Sequence, residues 1–247
     1  LYAEDVSVAE IATSVGTPFY VYSTATLVRH FQLFDEALDG MDHCICYAMK
    51  AASNQAILKT LGNLGAGMDV VSGGEYRRAL SAGIPPEKVV FSGVGKTLEE
   101  ITLALKNGIR QFNVESDSEL EQISSIASSM DKVAPIAVRI NPDVDAKTHE
   151  KIATGKAENK FGIPLSRARE VYSKASQMPG INIVGIDLHI GSQLTDLKPF
   201  KKAYQKLADL TQVLRQDGHK IKRLDLGGGL GIPYEKNKSA PPLPVEY

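Results

Sequence analysis

The chain has 247 residues with 43% hydrophobic and 23% charged side chains, enough to bury the core of one large α/β domain. Its 28 basic and 29 acidic residues leave a net charge of −1, which excludes an electrostatic nucleic-acid binder. No apolar run approaches the roughly 18–20 residues needed to cross a membrane. Leu1–Asp5 has neither the basic region nor the apolar core of a signal peptide, and the missing initiator Met suggests part of a longer polypeptide.

The first 40 residues carry two helical patterns, over 5–15 and 24–38, closed by Gly16 and Gly40. Between them Thr17–Tyr22 reads as a strand. From residue 44 the chain alternates. Short apolar strands are expected at 44–49, 68–72, 89–92, 112–114, 136–140, 183–189 and 223–226, with helices at 54–64, 74–82, 97–107, 117–130, 165–177 and 197–216. Strict alternation of this kind means a parallel sheet. About seven strands fit either a doubly wound open sheet or a barrel lacking one strand. No low-complexity linker divides them, and the tail 236–247 is polar and proline-rich. Cys44 and Cys46 share one face of the first of these strands, too close for an ordinary disulfide and without further Cys for a metal site. They read as structural thiols of a reducing cytosol.

The unusual residues sit at the C-terminal strand ends: Lys50, Asp69, Arg139, His189 and Gly227–Gly229. Parallel α/β folds bind ligands at that edge. Lysine is rarely buried unpaired, so Lys50 either reaches solvent or serves a site. The run Gly227-Gly228-Gly229-Leu230-Gly231 is neither a Walker loop nor a dinucleotide fingerprint. It is a tight turn or a phosphate cradle, and the position after a late strand favours the cradle. Gly191 and Ser192 follow His189 and offer a hydroxyl and backbone donors beside it. Asp69 lies inside an apolar strand, where a carboxylate must be paired or hydrogen-bonded. Its partner is either a neighbouring strand or a cationic group such as Lys50. The polar stretch 143–160, with His149 and Lys160, is too long for an ordinary connection and reads as a lid over the substrate entrance.

The ordered set Tyr47-Ala48-Met49-Lys50-Ala51, Gly67-Met68-Asp69-Val70-Val71-Ser72-Gly73-Gly74-Glu75, His189-Ile190-Gly191-Ser192-Gln193 and Asp225-Leu226-Gly227-Gly228-Gly229-Leu230-Gly231 resembles the fold type III pyridoxal-phosphate decarboxylases. The loop Thr148-His149-x-x-Ile152-x-Thr154-Gly155 with Lys160-Phe161-Gly162 favours the branch that acts on diaminopimelate over those acting on ornithine or arginine. The resemblance implies a (β/α)8 TIM-type barrel at 41–235, preceded at 1–40 by a segment whose strand belongs to a β domain. It implies pyridoxal 5'-phosphate as cofactor, held covalently by Lys50, stacked on by His189, its phosphate held by Ser192 and Gly227, Gly228 and Gly229. Asp69 and Glu75 would support the cofactor side, Arg139 would brace it, and no metal takes part. The implied reaction turns meso-2,6-diaminopimelate into L-lysine and carbon dioxide, the last step of lysine biosynthesis, in a cytoplasmic homodimer with shared sites. Alternatives are decarboxylation of ornithine, arginine or a carboxylated polyamine, and a non-catalytic pyridoxal-phosphate-binding barrel. The family's Glu-Pro-Gly-Arg strand, Cys-Glu-Ser-x-Asp segment and late Tyr have no counterpart after Gly231. Strand 8 and the C-terminal β domain are therefore expected to lie outside these residues, and the 247-residue chain alone is expected to be inactive and poorly stable.

Overall fold

In the computed structural model, the described residues are 1–145, 162–234 and 240–247. A short antiparallel hairpin, β1 (Tyr2–Ala3) and β2 (Val6–Ser7), leads into helices α1 (Val8–Val15) and α2 (Thr24–Ala37). Strand and helix then alternate: β3 (Cys46–Ala48), α3 (Gln55–Asn63), β4 (Gly67–Val70), α4 (Gly73–Ser81), β5 (Val89–Phe91), α5 (Leu98–Asn107), β6 (Gln111–Val114), α6 (Asp117–Ser129) and β7 (Ala134–Asn141). The two-residue β8 (Ile163–Pro164), α7 (Ala168–Gln177), β9 (Ile181–Asp187), α8 (Lys198–Gln216) and β10 (Arg223–Asp225) complete them.

The helices begin where the sequence supplies a cap. Asn54, Ser72, Thr97 and Ser116 each accept a backbone N–H of the first turn of α3, α4, α5 and α6. Each such cap contributes about 1 kcal/mol. The Thr97 cap is reciprocated by Glu100, and Gly108 closes α5 in the left-handed region.

The sheet runs β10-β9-β7-β6-β5-β4-β3, with β8 added beside β7, and every pair is parallel. Each strand lies next to its predecessor, so the order never reverses. A doubly wound sheet must reverse at a switch point, so the two topologies left open by the strand count are separated: these are seven strands of a (β/α)8-type barrel wall. The wall is curled. Asn113 on β6 donates to Asp225 Oδ2 on β10 at 3.0 Å across the interior, although two strands lie between them.

Alternation sets the two faces. Registers of Ala48 with Asp69, Asp69 with Val90 and Val90 with Gln111 put these residues on the inner face. Asn113, Ala137, Gly185 and Arg223 follow as one inner layer, and Arg139, Asp187 and Asp225 as the next. The other face carries Met68, Val70, Phe91, Phe112, Val114, Ile136, Val138 and Ile186, all buried under the helices. Tyr76 stacks on Phe91 at 6.5 Å, and Phe91 on Phe112 at 6.2 Å. The main core is thus the layer between sheet and helices, and the interior is polar.

Two segments lie apart from this wall. Thr17–Tyr22 makes no ladder among the described residues, and Tyr20 is 92% exposed, so its β pattern finds no partner here. The tail is not simply a polar lead-out. Tyr247 packs edge-on against Phe200 of α8 at 4.9 Å and against Phe34 of α2 at 5.9 Å. It thereby joins the helices that precede the two edge strands.

Candidate active site

The C-terminal strand ends open onto one edge of the curled sheet. Lys50 lies two residues beyond β3 and is exposed. Asp69 is half-buried on β4, and its Oδ1 is buried without a hydrogen-bond partner among the described residues. Burial pushes its carboxyl up to about 6, assisted by Asp225 and opposed by Ser92 and Lys50. A carboxylate held this way favours a cationic neighbour.

Arg139 lies buried within β7 and donates from Nη1 to Glu115 Oε1 at 3.1 Å. The same oxygen accepts Gly93 N at 3.1 Å, which ties the β5–α5 connection to the pair. Beside Arg139 in register, Asp187 is only 4% exposed. Burial and then Asp225 push its carboxyl well above the ordinary aspartate value, against the pull of Arg139.

His189 follows β9 by two residues. Its Nδ1 lies 2.6 Å from the Gly227 carbonyl. Burial, with Arg139 and Lys50 nearby, lowers its pKa to about 4 against that carbonyl. The ring is therefore neutral at pH 7. A carbonyl only accepts, so Nδ1 carries the hydrogen and Nε2 the lone pair.

Gly227, Gly228 and Gly229 all have positive φ, at 70°, 63° and 102°. A Cβ on Gly227 would overlap the Leu188 carbonyl, and one on Gly229 the Gly191 carbonyl. One on Gly228 would meet nothing within 4 Å, so that residue faces open space. Asp225 Oδ1 accepts Gly227 N at 3.0 Å, while its Oδ2 takes the Asn113 bond. Residue Gly227 is thus gripped from both sides, by Asp225 at its N–H and His189 at its carbonyl. Among the described residues the Gly228 and Gly229 amides donate to no protein acceptor. Backbone amides left without a protein acceptor beside positive-φ glycines are the kind of donors that an anion cradle uses. The loop bearing the exposed Ser192 is zipped to the glycine turn: Leu194 N donates to Gly229 O at 2.9 Å and Gly231 N to Leu194 O at 2.8 Å.

The structure therefore gathers Lys50, Asp69, Arg139, His189 and the glycine turn at one edge. Glu75 stays local, its Oε2 accepting Val71 N at 2.8 Å, with its charge close enough to raise Asp69. His149 and Lys160 lie outside the described residues, as does most of stretch 143–160. Its first residues are anchored, with Val144 buried and Lys206 donating to Asp143 O at 3.1 Å. Asn113, Glu115, Asp187 and Asp225 were missed as site residues by sequence reasoning. The signal was there: Gln111, Asn113 and Glu115 alternate with Phe112 and Val114, the mark of a strand with one polar face.

A pyridoxal phosphate fits these groups. It needs an amine, a flat apolar face, a phosphate cradle and compensating charge. Lys50, the neutral His189 ring, the free amides beside Ser192, and the orphaned Asp69 oxygen meet those needs in kind.

The family described as "Pyridoxal-dependent decarboxylase, pyridoxal binding domain" matches residues 24–246. Among curated relatives, the diaminopimelate decarboxylase of Haemophilus influenzae is 53% identical and that of Vibrio cholerae 51%, each over 247 residues. The chain spans 59% of the length of either, with all of its own residues covered. Diaminopimelate decarboxylase from Helicobacter pylori complexed with L-lysine superposes with a TM-score of 0.94 at 43% identity, covering 98% of this chain and 61% of that one. Lysine decarboxylase from Selenomonas ruminantium gives 0.83 at 25% identity, covering 96% of this chain and 58% of that one. No described helix is long and apolar enough to cross a membrane. With the family model matched over residues 24–246 and relatives about half identical over the whole chain, the chain belongs to the pyridoxal-dependent decarboxylases and carries their pyridoxal-binding domain.

Proposed function

We propose that this chain serves the pyridoxal-phosphate-dependent α-decarboxylation of meso-2,6-diaminopimelate to L-lysine and carbon dioxide, closing lysine biosynthesis. The observation that carries the cofactor reading is the glycine turn, whose free amides open onto the same edge as Lys50, Asp69 and His189. Substrate choice is supported by identities of 51–53% to diaminopimelate decarboxylases, against 25% to the lysine decarboxylase.

When bound, the cofactor supplies an electron sink for the carbanion left by carbon dioxide loss. The chain's own residues orient and hold. Lys50 Nζ takes the covalent link. The Gly228 and Gly229 amides, with Ser192 Oγ, hold the phosphate. His189, kept neutral and fixed at Nδ1, lies against the ring without adding a charge there. Arg139, tied to Glu115, braces the cofactor side of the site, and Asp69 balances positive charge on the ligand. Residues 41–235 form the cofactor barrel on this reading, and the working protein is a cytoplasmic homodimer with shared sites.

Borohydride reduction of the pyridoxal-phosphate-loaded protein followed by peptide mapping tests the site. The adduct is expected on Lys50, and an adduct on another lysine overturns the assignment. Carbon dioxide release from diaminopimelate, lysine, ornithine and arginine tests the substrate. Preference for any but the first overturns that part.

A further inference from the structure

The opposite end of the barrel holds a second reactive group that decarboxylation does not use. Cys44 and Cys46 are the two cysteines of the chain. Their sulfurs lie 3.9 Å apart at the N-terminal mouth, and both residues are half-buried. Cys46 opens β3 and points inward, its Sγ packed over Gly67, where an added Cβ would come within 2.9 Å of it. Arg110 and Lys88, which lead into β6 and β5, act on Cys44, and Arg223 of β10 feels its charge in turn. Arg223 also donates to the Arg110 carbonyl at 2.7 Å, which closes this basic rim. The other charged groups nearby are His43, which feels Cys44, and Asp225, which faces Cys46.

We propose that Cys44 and Cys46 are an oxidisable dithiol, with Cys44 the thiolate that attacks hydroperoxides and Cys46 the thiol that resolves the product. A partly exposed thiol in a basic setting is the arrangement that makes cysteine reactive. The neighbouring Cys46 sulfur, with Arg110 and Lys88, pulls Cys44 down to about 6 against burial. The same contact and burial push Cys46 up, so it keeps its proton until the second step.

The Cys44 thiolate attacks the O–O bond of a hydroperoxide. That bond breaks, the distal oxygen stays on sulfur as a sulfenic acid, and the other leaves as alcohol, or water from hydrogen peroxide, after taking a proton. Cys46 then displaces water from the oxidised sulfur. Two thiols lose two electrons and two protons, and the peroxide is reduced by the same two electrons. Closing the bridge brings the sulfurs to about 2.05 Å, across only one intervening residue. The Ile45 carbonyl accepts Gly67 N at 2.9 Å, so residue 44, which precedes that bond, is the part of the backbone that shifts. A bridge so short is strained and hence readily reduced by thiols.

Treating the native protein with hydrogen peroxide, blocking with iodoacetamide and mapping peptides decides the matter. The expected peptide around 44–46 is unalkylated, lighter by two hydrogens, and restored by dithiothreitol. Cys46→Ser should trap a dimedone-reactive sulfenic acid on Cys44, and Cys44→Ser should leave Cys46 unoxidised. Alkylation of both thiols undiminished by peroxide overturns the proposal. So does accumulation of sulfinic acid on Cys44 beside a free Cys46, or oxidation of Cys46 at an unchanged rate in Cys44→Ser.

Discussion

Replacing Asp69 by Asn should make the cofactor-free protein more stable at neutral pH while weakening its hold on the cofactor. Burial raises the Asp69 carboxyl from 3.8 to about 6 in the folded chain. A rise of that size corresponds to roughly 3 kcal/mol at most. Water reaches part of the half-buried side chain, which brings the expected effect to about 1–3 kcal/mol. The sign follows from proton binding. The folded state binds the proton more tightly than the unfolded state, so this carboxyl favours folding below about pH 4. That contribution is lost as pH rises through 6. Urea denaturation of wild type and Asp69→Asn, both without cofactor, should give similar midpoints at pH 4. At pH 7.5 the variant should have the higher midpoint. Pyridoxal phosphate affinity, measured by absorbance at pH 7.5, should move the other way. A stability difference that does not change with pH, or a variant that is less stable at pH 7.5, would refute the claim that Asp69 is held ionised at a cost.

Other perturbations separate packing from ligand binding. Gly227→Ala should disturb the fold, because its Cβ overlaps the Leu188 carbonyl at a φ of 70°. Gly228→Val should fold with a penalty of about 1–3 kcal/mol for its φ, yet lose tenfold or more in pyridoxal phosphate affinity. Lys96 is buried with Glu119 and also donates to Gly93 O at 2.7 Å and Asn113 O at 2.8 Å. Lys96→Met should therefore cost about 3–5 kcal/mol, and Lys96→Met with Glu119→Leu should recover much of it in chemical denaturation. Imidazole NMR of His189 should show a neutral Nδ1–H ring from pH 5.5 upward, since its pKa is lowered to about 4. A protonation step between pH 6 and 7 would contradict the placement.

The alternation of strands and helices was legible because each apolar run is bounded by Gly, Asn or Ser punctuation, and Asn54 caps α3 as its position suggests. The edge that gathers Lys50, Asp69, Arg139 and His189 was legible for the same reason, since parallel topology fixes which strand ends meet. Strand count alone left the topology open; pairing order, a long-range property, decides it. The polar interior was legible at Asp69 and Arg139 but not at Asn113 and Glu115, whose bonds run to other strands. Asp225 shows the deeper limit. Its two bonds, to Gly227 and Asn113, depend on curvature that brings β10 back over β6. Thr17–Tyr22 carries a strand-like pattern but makes no ladder among the described residues, as a strand assigned to a β domain outside them would.

The pairing of each strand with its predecessor carries a kinetic consequence. As the chain leaves the ribosome, every new strand finds its neighbour already in place, and except between β7 and β9 only one helix separates the two. Such a wall grows from one end by local steps, each with a modest entropic cost. The bond between Asn113 and Asp225 spans 112 residues and forms only after β7 and β9 stand between them, when the growing edge swings round. Because that same Asp225 holds the first glycine of the cradle, the anion site is assembled only once the curl is complete. A nascent or partly unfolded chain would then have no grip on phosphate, and cofactor capture would report on completed folding.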